Sequence, residues 1–132
     1  MQGAANGIDR PASASEQHEL DVSAKDLEIH IERSGSLYGH AELDAYLQGI
    51  ADRLLKGENG ASGPTVRVRT LRDASANAFA LPNGAVFVTT GLLQRLDSEA
   101  QIACVLGHEI THFTNRHALK EQRTITRKTN WS

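Results

Sequence analysis

The chain has 132 residues, enough for one compact domain, and its 39% hydrophobic but only 5% aromatic content allows a core of modest size. A formal charge of -2 gives no electrostatic reason to expect nucleic acid or an anionic membrane as partner, and neither is predicted. Cys104 is the only cysteine, which excludes an internal disulfide. The longest apolar run, Ala100 to Gly107, is far shorter than the roughly 20 residues a bilayer demands, and the opening MQGAANGIDR has no hydrophobic signal region. Membrane association of a longer parent protein is compatible with both observations.

In chain order, residues 1 to about 20 are rich in Ala, Ser, Gly and Gln around Pro11 and lack periodic apolar positions. Residues 1–35 read as a flexible or partly helical leader. Residues 21–33 fit a short helix, but the alternation Leu27-Glu28-Ile29-His30-Ile31 fits a strand equally well. A clearer helix covers 37–55, where Leu37, Ala41, Leu43, Leu47, Ile50, Ala51, Leu54 and Leu55 recur at helical spacing. Gly57 marks its end, and the glycine-rich run to Gly63 is a loop. Val66 and Val68 alternate with Arg67 and Arg69 over residues 65–71, the pattern of a strand with one wet face and two solvated arginines. Residues 77–81 and 85–90 flank Pro82-Asn83-Gly84, whose Asn-Gly pair suits the positive φ angles of a tight hairpin turn. Phe79 and Phe87 are core positions. Residues 91–96 form a short helix, and no internal repeat is present.

The helix that follows carries the chemistry. Ser98-Glu99-Ala100-Gln101 reads as a capping box, and Ala103, Leu106, Ile110 and Phe113 continue as an apolar stripe. Ile102, Cys104 and Val105 make its first half apolar nearly all round, so the helix is expected inside the domain, with Cys104 in the core. His108-Glu109-Ile110-Thr111-His112 is an HExxH motif. At 100° per residue the two histidines stand 40° apart on one face and one turn apart along the axis, so both imidazoles can reach one zinc ion. Cys104, His108 and His112 together span about 12 Å of rise, too far for three ligands of one ion on a straight helix.

The run NAFALPNGAVFVTTGLLQRLDSEAQIACVLGHEITHFTNRHAL, residues 77–119, resembles the heart of the HtpX-type and CAAX-prenyl-protease-type zinc metallopeptidases, members of the gluzincin group. Weaker similarity extends back through residues 38–55. The resemblance implies a zincin-like α+β fold in which a small sheet with its hairpin packs on the HExxH helix and the helix over 37–55. It implies a zinc-dependent endopeptidase acting on protein or peptide substrates, in a bacterial periplasm or at a membrane. His108 and His112 would hold one Zn2+ ion, and Glu109 would act as general base toward an activated water. Residues Asn77, Ala78, Phe79 and Ala80 match the extended edge strand on which such proteases bind peptides. The same segment also reads as one ordinary strand of a small sheet.

One part of the pattern has no match. Relatives of this type complete the zinc sphere with a glutamate on a later helix, and the sequence ends 20 residues after His112. Glu121 and His117 lie at the wrong spacing, and His18, His30 and His40 read as surface residues. Residues 36–132 are therefore expected to be the N-terminal part of a zinc metallopeptidase domain, with a short homologue that has lost catalysis as the other account. The main rival function is a non-catalytic binding or scaffold module that keeps the protease fold. Zinc-dependent hydrolysis of a non-peptide substrate is a third.

Overall fold

The computed structural model describes residues 13–59 and 64–129, excepting the side chains of 57–59 and 117–129. In chain order the elements are α1 (Ala14–Arg33), α2 (Ala41–Asn59), β1 (Arg67–Leu71), β2 (Ala78–Ala80), β3 (Ala85–Thr89), α3 (Thr90–Leu93) and α4 (Glu99–Thr129). The architecture is α+β, as expected. The three strands form a mixed sheet of order β1-β3-β2, with β3 parallel to β1 and antiparallel to β2.

Central β3 is buried along its whole length and divides the core in two. Val86 and Val88 face α2 and α4 with Val66 and Val68, meeting Leu47, Ile50, Ala51 and Leu55 of α2 and Leu106, Ile110 and Phe113 of α4. Ala85 and Phe87 face the other way with Leu71 and Leu81, against Ala24 and Ile31 of α1. Full burial of a side chain such as Leu47 or Ile110 contributes about 1.5–3 kcal/mol, so the first cluster carries most of the packing energy.

Around the second cluster one open reading is narrowed and another is corrected. Residues 14–20 are helical: Ser13 and Glu16 form a reciprocal capping box, with Ser13 N donating to Glu16 Oε2 at 2.6 Å and Glu16 N to Ser13 Oγ at 3.1 Å. This cap starts α1 where no apolar periodicity announces it, and the helix-or-strand alternative over 21–33 resolves as helix. Residues 1–12 of the expected leader lie outside the described residues. The sheet face read as wet is wet only in part: α1 packs on it at Leu71, Ala85 and Phe87, and the arginines, of which Arg67 stays exposed, are paired rather than simply solvated. Arg67 Nη2 donates to both carboxylate oxygens of Glu28, at 2.9 and 3.1 Å, and Arg69 Nη1 donates to Glu32 at 2.6 Å. Glu28 is buried, and Asn83 Nδ2 gives it a further bond of 2.9 Å, tying α1 to β1 and to the hairpin turn. A buried carboxylate needs such partners to be tolerated.

The hairpin forms as expected, with a different turn. Only Gly84 has positive φ, at 92°, while Asn83 does not. Gly84 N donates to the Leu81 carbonyl at 3.0 Å and Leu81 N to the Ala85 carbonyl at 2.7 Å, so Pro82 opens an ordinary turn that Gly84 closes in the left-handed region. Pro82, with its φ fixed negative, suits the first central position of that turn. Helix α2 begins four residues later than expected. Leu37 instead makes an antiparallel bridge with Leu71, and exposed His40 caps the helix by accepting from Leu43 N at 3.2 Å.

Candidate active site

Helix α4 starts where the sequence places it. Ser98 Oγ accepts from Gln101 N at 3.3 Å, and Gln101 Oε1 reaches back to Asp97 N. Glu99, in the first turn, accepts a 2.5 Å bond from the Tyr46 hydroxyl of α2, and this bond holds the Tyr46 phenol above its usual titration range. Leu106, Ile110 and Phe113 are buried against the sheet and α2. Their opposite face bears exposed Cys104, His108, Thr111 and His112. Two expectations are corrected here: Cys104 is exposed rather than core, and the motif's two histidines face outward rather than into the domain. The sheet and α2 cover only one side of α4, so the apolar residues that circle its first half cannot all be buried.

The two motif histidines converge. Their ring centroids are 4.6 Å apart with planes at 86°, and the Nε2 atoms approach to 3.2 Å. Two nitrogens at zinc-ligand distance on a tetrahedral ion stand about 3.3 Å apart, so the pair fits one zinc through Nε2 with little rearrangement. Glu109, between them in sequence, is half-buried and adjacent on the helix surface. Among the described residues no group of three or more His, Cys, Asp or Glu side chains converges on a common point. The side chains of His117 and Glu121 lie outside the described residues.

Beside α4 runs β2, an edge strand of the sheet. Thr89 N donates to the Asn77 carbonyl at 3.0 Å and Leu81 N to the Ala85 carbonyl, which fixes the alternation of the antiparallel pair. Asn77, Phe79 and Leu81 direct their main-chain groups to β3, and Ala78 and Ala80 direct theirs to the free edge. Ala78 and Ala80 pack their methyl groups on the α2–α4 side, whereas Phe79 packs on the α1 side with its ring 5.4 Å from that of Phe87. Of the four residues expected to meet a peptide, two therefore offer main-chain groups that no described strand pairs.

Thr89 sets the approach to this edge, a role its sequence position does not announce. Its buried hydroxyl donates to the Ser75 carbonyl at 2.6 Å, accepts from Asn77 N at 3.0 Å and caps α3 by accepting from Leu92 N at 3.2 Å. In the loop so anchored, Asp73 Oδ1 accepts from both Ser75 N and Ser75 Oγ, which holds its carboxyl below the usual range. Gly91 packs against this loop so closely that a Cβ there would collide with the Ala74 carbonyl. The only sequence cue is the run Thr89-Thr90-Gly91 at the end of a strand, a plain helix-start signal.

The sequence is similar to those of known proteases. The chain is 33% identical over 86 residues to a putative beta-barrel assembly-enhancing protease of Vibrio cholerae, covering 65% of this chain and 18% of that protein. It is 51% identical over 49 residues to the mitochondrial metalloendopeptidase OMA1 of Bos taurus, covering 37% and 9%. A protease HtpX homolog of Pediococcus pentosaceus is 46% identical over 56 residues, covering 39% and 18%. The chain thus spans less than a quarter of the length of these relatives. The model of peptidase family M48 matches residues 41–129, from α2 through α4, and the chain belongs to that family.

Proposed function

We propose that this chain supplies the metal-binding helix and the peptide-binding edge of a zinc-dependent endopeptidase, as the N-terminal part of its catalytic domain. The observation that carries the reading is the 3.2 Å approach of His108 Nε2 and His112 Nε2 on an exposed helix face beside the open edge of β2. When bound, zinc would lower the pKa of a coordinated water and polarise the scissile carbonyl. His108 and His112 would hold the ion in their neutral forms. Glu109 would take the proton of the attacking water and return it to the departing amine, for which it must stay near the ion without ligating it. Ala78 and Ala80 would pair with an extended peptide through their outward N–H and C=O groups, and their small side chains would leave space next to α4.

The names of the relatives, proteases of bacteria and mitochondria, support a protein substrate; a bacterial periplasmic or membrane-associated setting rests on the family resemblance. No helix among the described residues is long and apolar enough to cross a membrane.

The test separates binding from chemistry. In the natural full-length protein, Glu109→Ala is expected to keep stoichiometric zinc and lose peptide cleavage, whereas His112→Ala loses both. Full cleavage by Glu109→Ala would overturn the assignment of the base. Unchanged zinc affinity in His112→Ala would overturn the ligand pair.

A further inference from the structure

The sheet has two edges, and they are treated differently. At β2, Ala78 and Ala80 direct main-chain groups outward. At β1 the alternation is fixed by Arg67 N, which donates to the Gly84 carbonyl of the β3 side at 2.9 Å. Val66, Val68 and Thr70 therefore direct their main-chain groups to the outer edge. Gln48 of α2 fills this edge with a side chain. Its Oε1 accepts from Val68 N at 2.8 Å, and its Nε2 donates to the Val66 carbonyl at 2.9 Å. That pattern, one amide bonded to the carbonyl before Arg67 and the N–H after it, is the one a residue of a parallel neighbouring strand would make. The second Nε2 hydrogen goes to Asp52 Oδ1, also at 2.9 Å, which fixes the orientation of the carboxamide. The other end of the edge is closed by main chain: Tyr38 N donates to the Thr70 carbonyl at 2.8 Å and Arg72 N to the Ser36 carbonyl at 2.7 Å.

We infer that Gln48 is an edge guard, whose carboxamide occupies the strand-pairing groups of Val66 and Val68 and so prevents a second copy of this chain from adding to β1. An unpaired edge is a template for another strand, and residues 65–70, rich in Val, Thr and Arg, have strong β-propensity. Identical strands meeting at this edge would pair across a two-fold axis, a self-complementary contact that requires no other surface. The inference concerns self-association and stands whether or not β2 binds substrate.

Gln48→Met in the 132-residue chain tests it, since methionine keeps the length and apolar packing of the side chain and removes its hydrogen bonds. By sedimentation velocity the parent chain is expected to stay monomeric, while the variant associates increasingly with concentration. By hydrogen exchange the Val68 amide of the variant is expected to exchange about tenfold or more faster when dilute and to regain protection when concentrated. Gln48→Glu is the companion, because it loses the donor to Val66 yet places a charge on the edge that itself opposes pairing. It should remain monomeric even if it is destabilised as much as Gln48→Met. The inference is overturned if Gln48→Met stays monomeric at every concentration, whatever the Val68 exchange rate. It is equally overturned if both variants associate alike, since association would then follow from lost stability rather than from an opened edge.

Discussion

Thr89→Val replaces a hydroxyl by a methyl of nearly the same shape, so its cost isolates the hydrogen bonds of one buried oxygen. Three groups lose a partner: the Ser75 carbonyl, Asn77 N and Leu92 N, bonded at 2.6, 3.0 and 3.2 Å. The Leu92 bond is a helix N-cap, whose removal typically costs about 1 kcal/mol. A buried group left unsatisfied costs about 1–3 kcal/mol. Asn77 is exposed, so water recovers part of that loss, and the added methyl contributes some apolar burial. The expected destabilisation is about 2–3 kcal/mol, on the order of a 7–11 °C fall in Tm for a domain of this size. Urea unfolding should show a lower midpoint with an unchanged slope, because the same surface is exposed on unfolding. Thr89→Ser, which keeps the hydroxyl, should lose about 1 kcal/mol or less. A loss below about 0.5 kcal/mol for Thr89→Val, or equal losses for the two variants, would refute the view that this hydroxyl anchors the approach to β2.

Two further perturbations probe the same corner. Gly91→Ala should destabilise by about 1–3 kcal/mol although alanine is the better helix former, because its Cβ would strike the rigid Ala74 carbonyl; a stabilised variant by thermal melting would refute the contact. The carboxyl of Asp73 titrates below its ordinary value of 3.8 because it accepts from Ser75, so its contribution is present above that pH and is lost as the pH falls through the lower folded-state value. Asp73→Asn should accordingly be less stable than the parent at neutral pH and converge with it in acid, and stability profiles that run parallel across that range would refute the pairing.

The elements with strong local signals were legible in the sequence, and the misreadings share a cause. The capped HExxH helix, the helix through Leu47 and Ile50 and the hairpin at Gly84 each have a period or a turn residue that decides them. Helix α1 had its signal as well, the Ser13–Glu16 capping box, but its apolar stripe is thin: Ala24 and Ile31 are buried, with the buried position between them taken by Glu28. A carboxylate on the inner face hides amphipathicity from any pattern of hydrophobics. Its partner Arg67 did the converse, making a sheet face that packs in part on α1 look wholly wet. Gln48 is a polar residue between Leu47 and Ile50, and nothing local says that its amide completes a sheet edge 18 residues further on. In each case long-range pairing of polar groups, which leaves no period, set the outcome.

The two faces of α4 divide stability from chemistry, and this makes the candidate site testable without ambiguity. Ile110 is fully buried in the core shared with α2 and the sheet, while His112, two residues on, is exposed. Ile110→Ala should cost about 2–5 kcal/mol by removing buried methylenes and leaving a cavity. His112→Ala removes an exposed side chain from a helix surface and replaces it by the best helix former, so it should change stability by no more than about 0.5 kcal/mol. Added zinc stabilises a folded chain in proportion to the logarithm of its concentration over the dissociation constant, provided that the unfolded chain binds it less well. A zinc-dependent rise in Tm should therefore appear in the parent chain and vanish in His112→Ala, whereas Ile110→Ala melts lower yet keeps a rise of similar size for as long as it folds. A zinc response that survives in His112→Ala would place the ion elsewhere on the chain, and a large loss of stability in the same variant would mean that the exposed face of α4 is doing structural work that its geometry does not show.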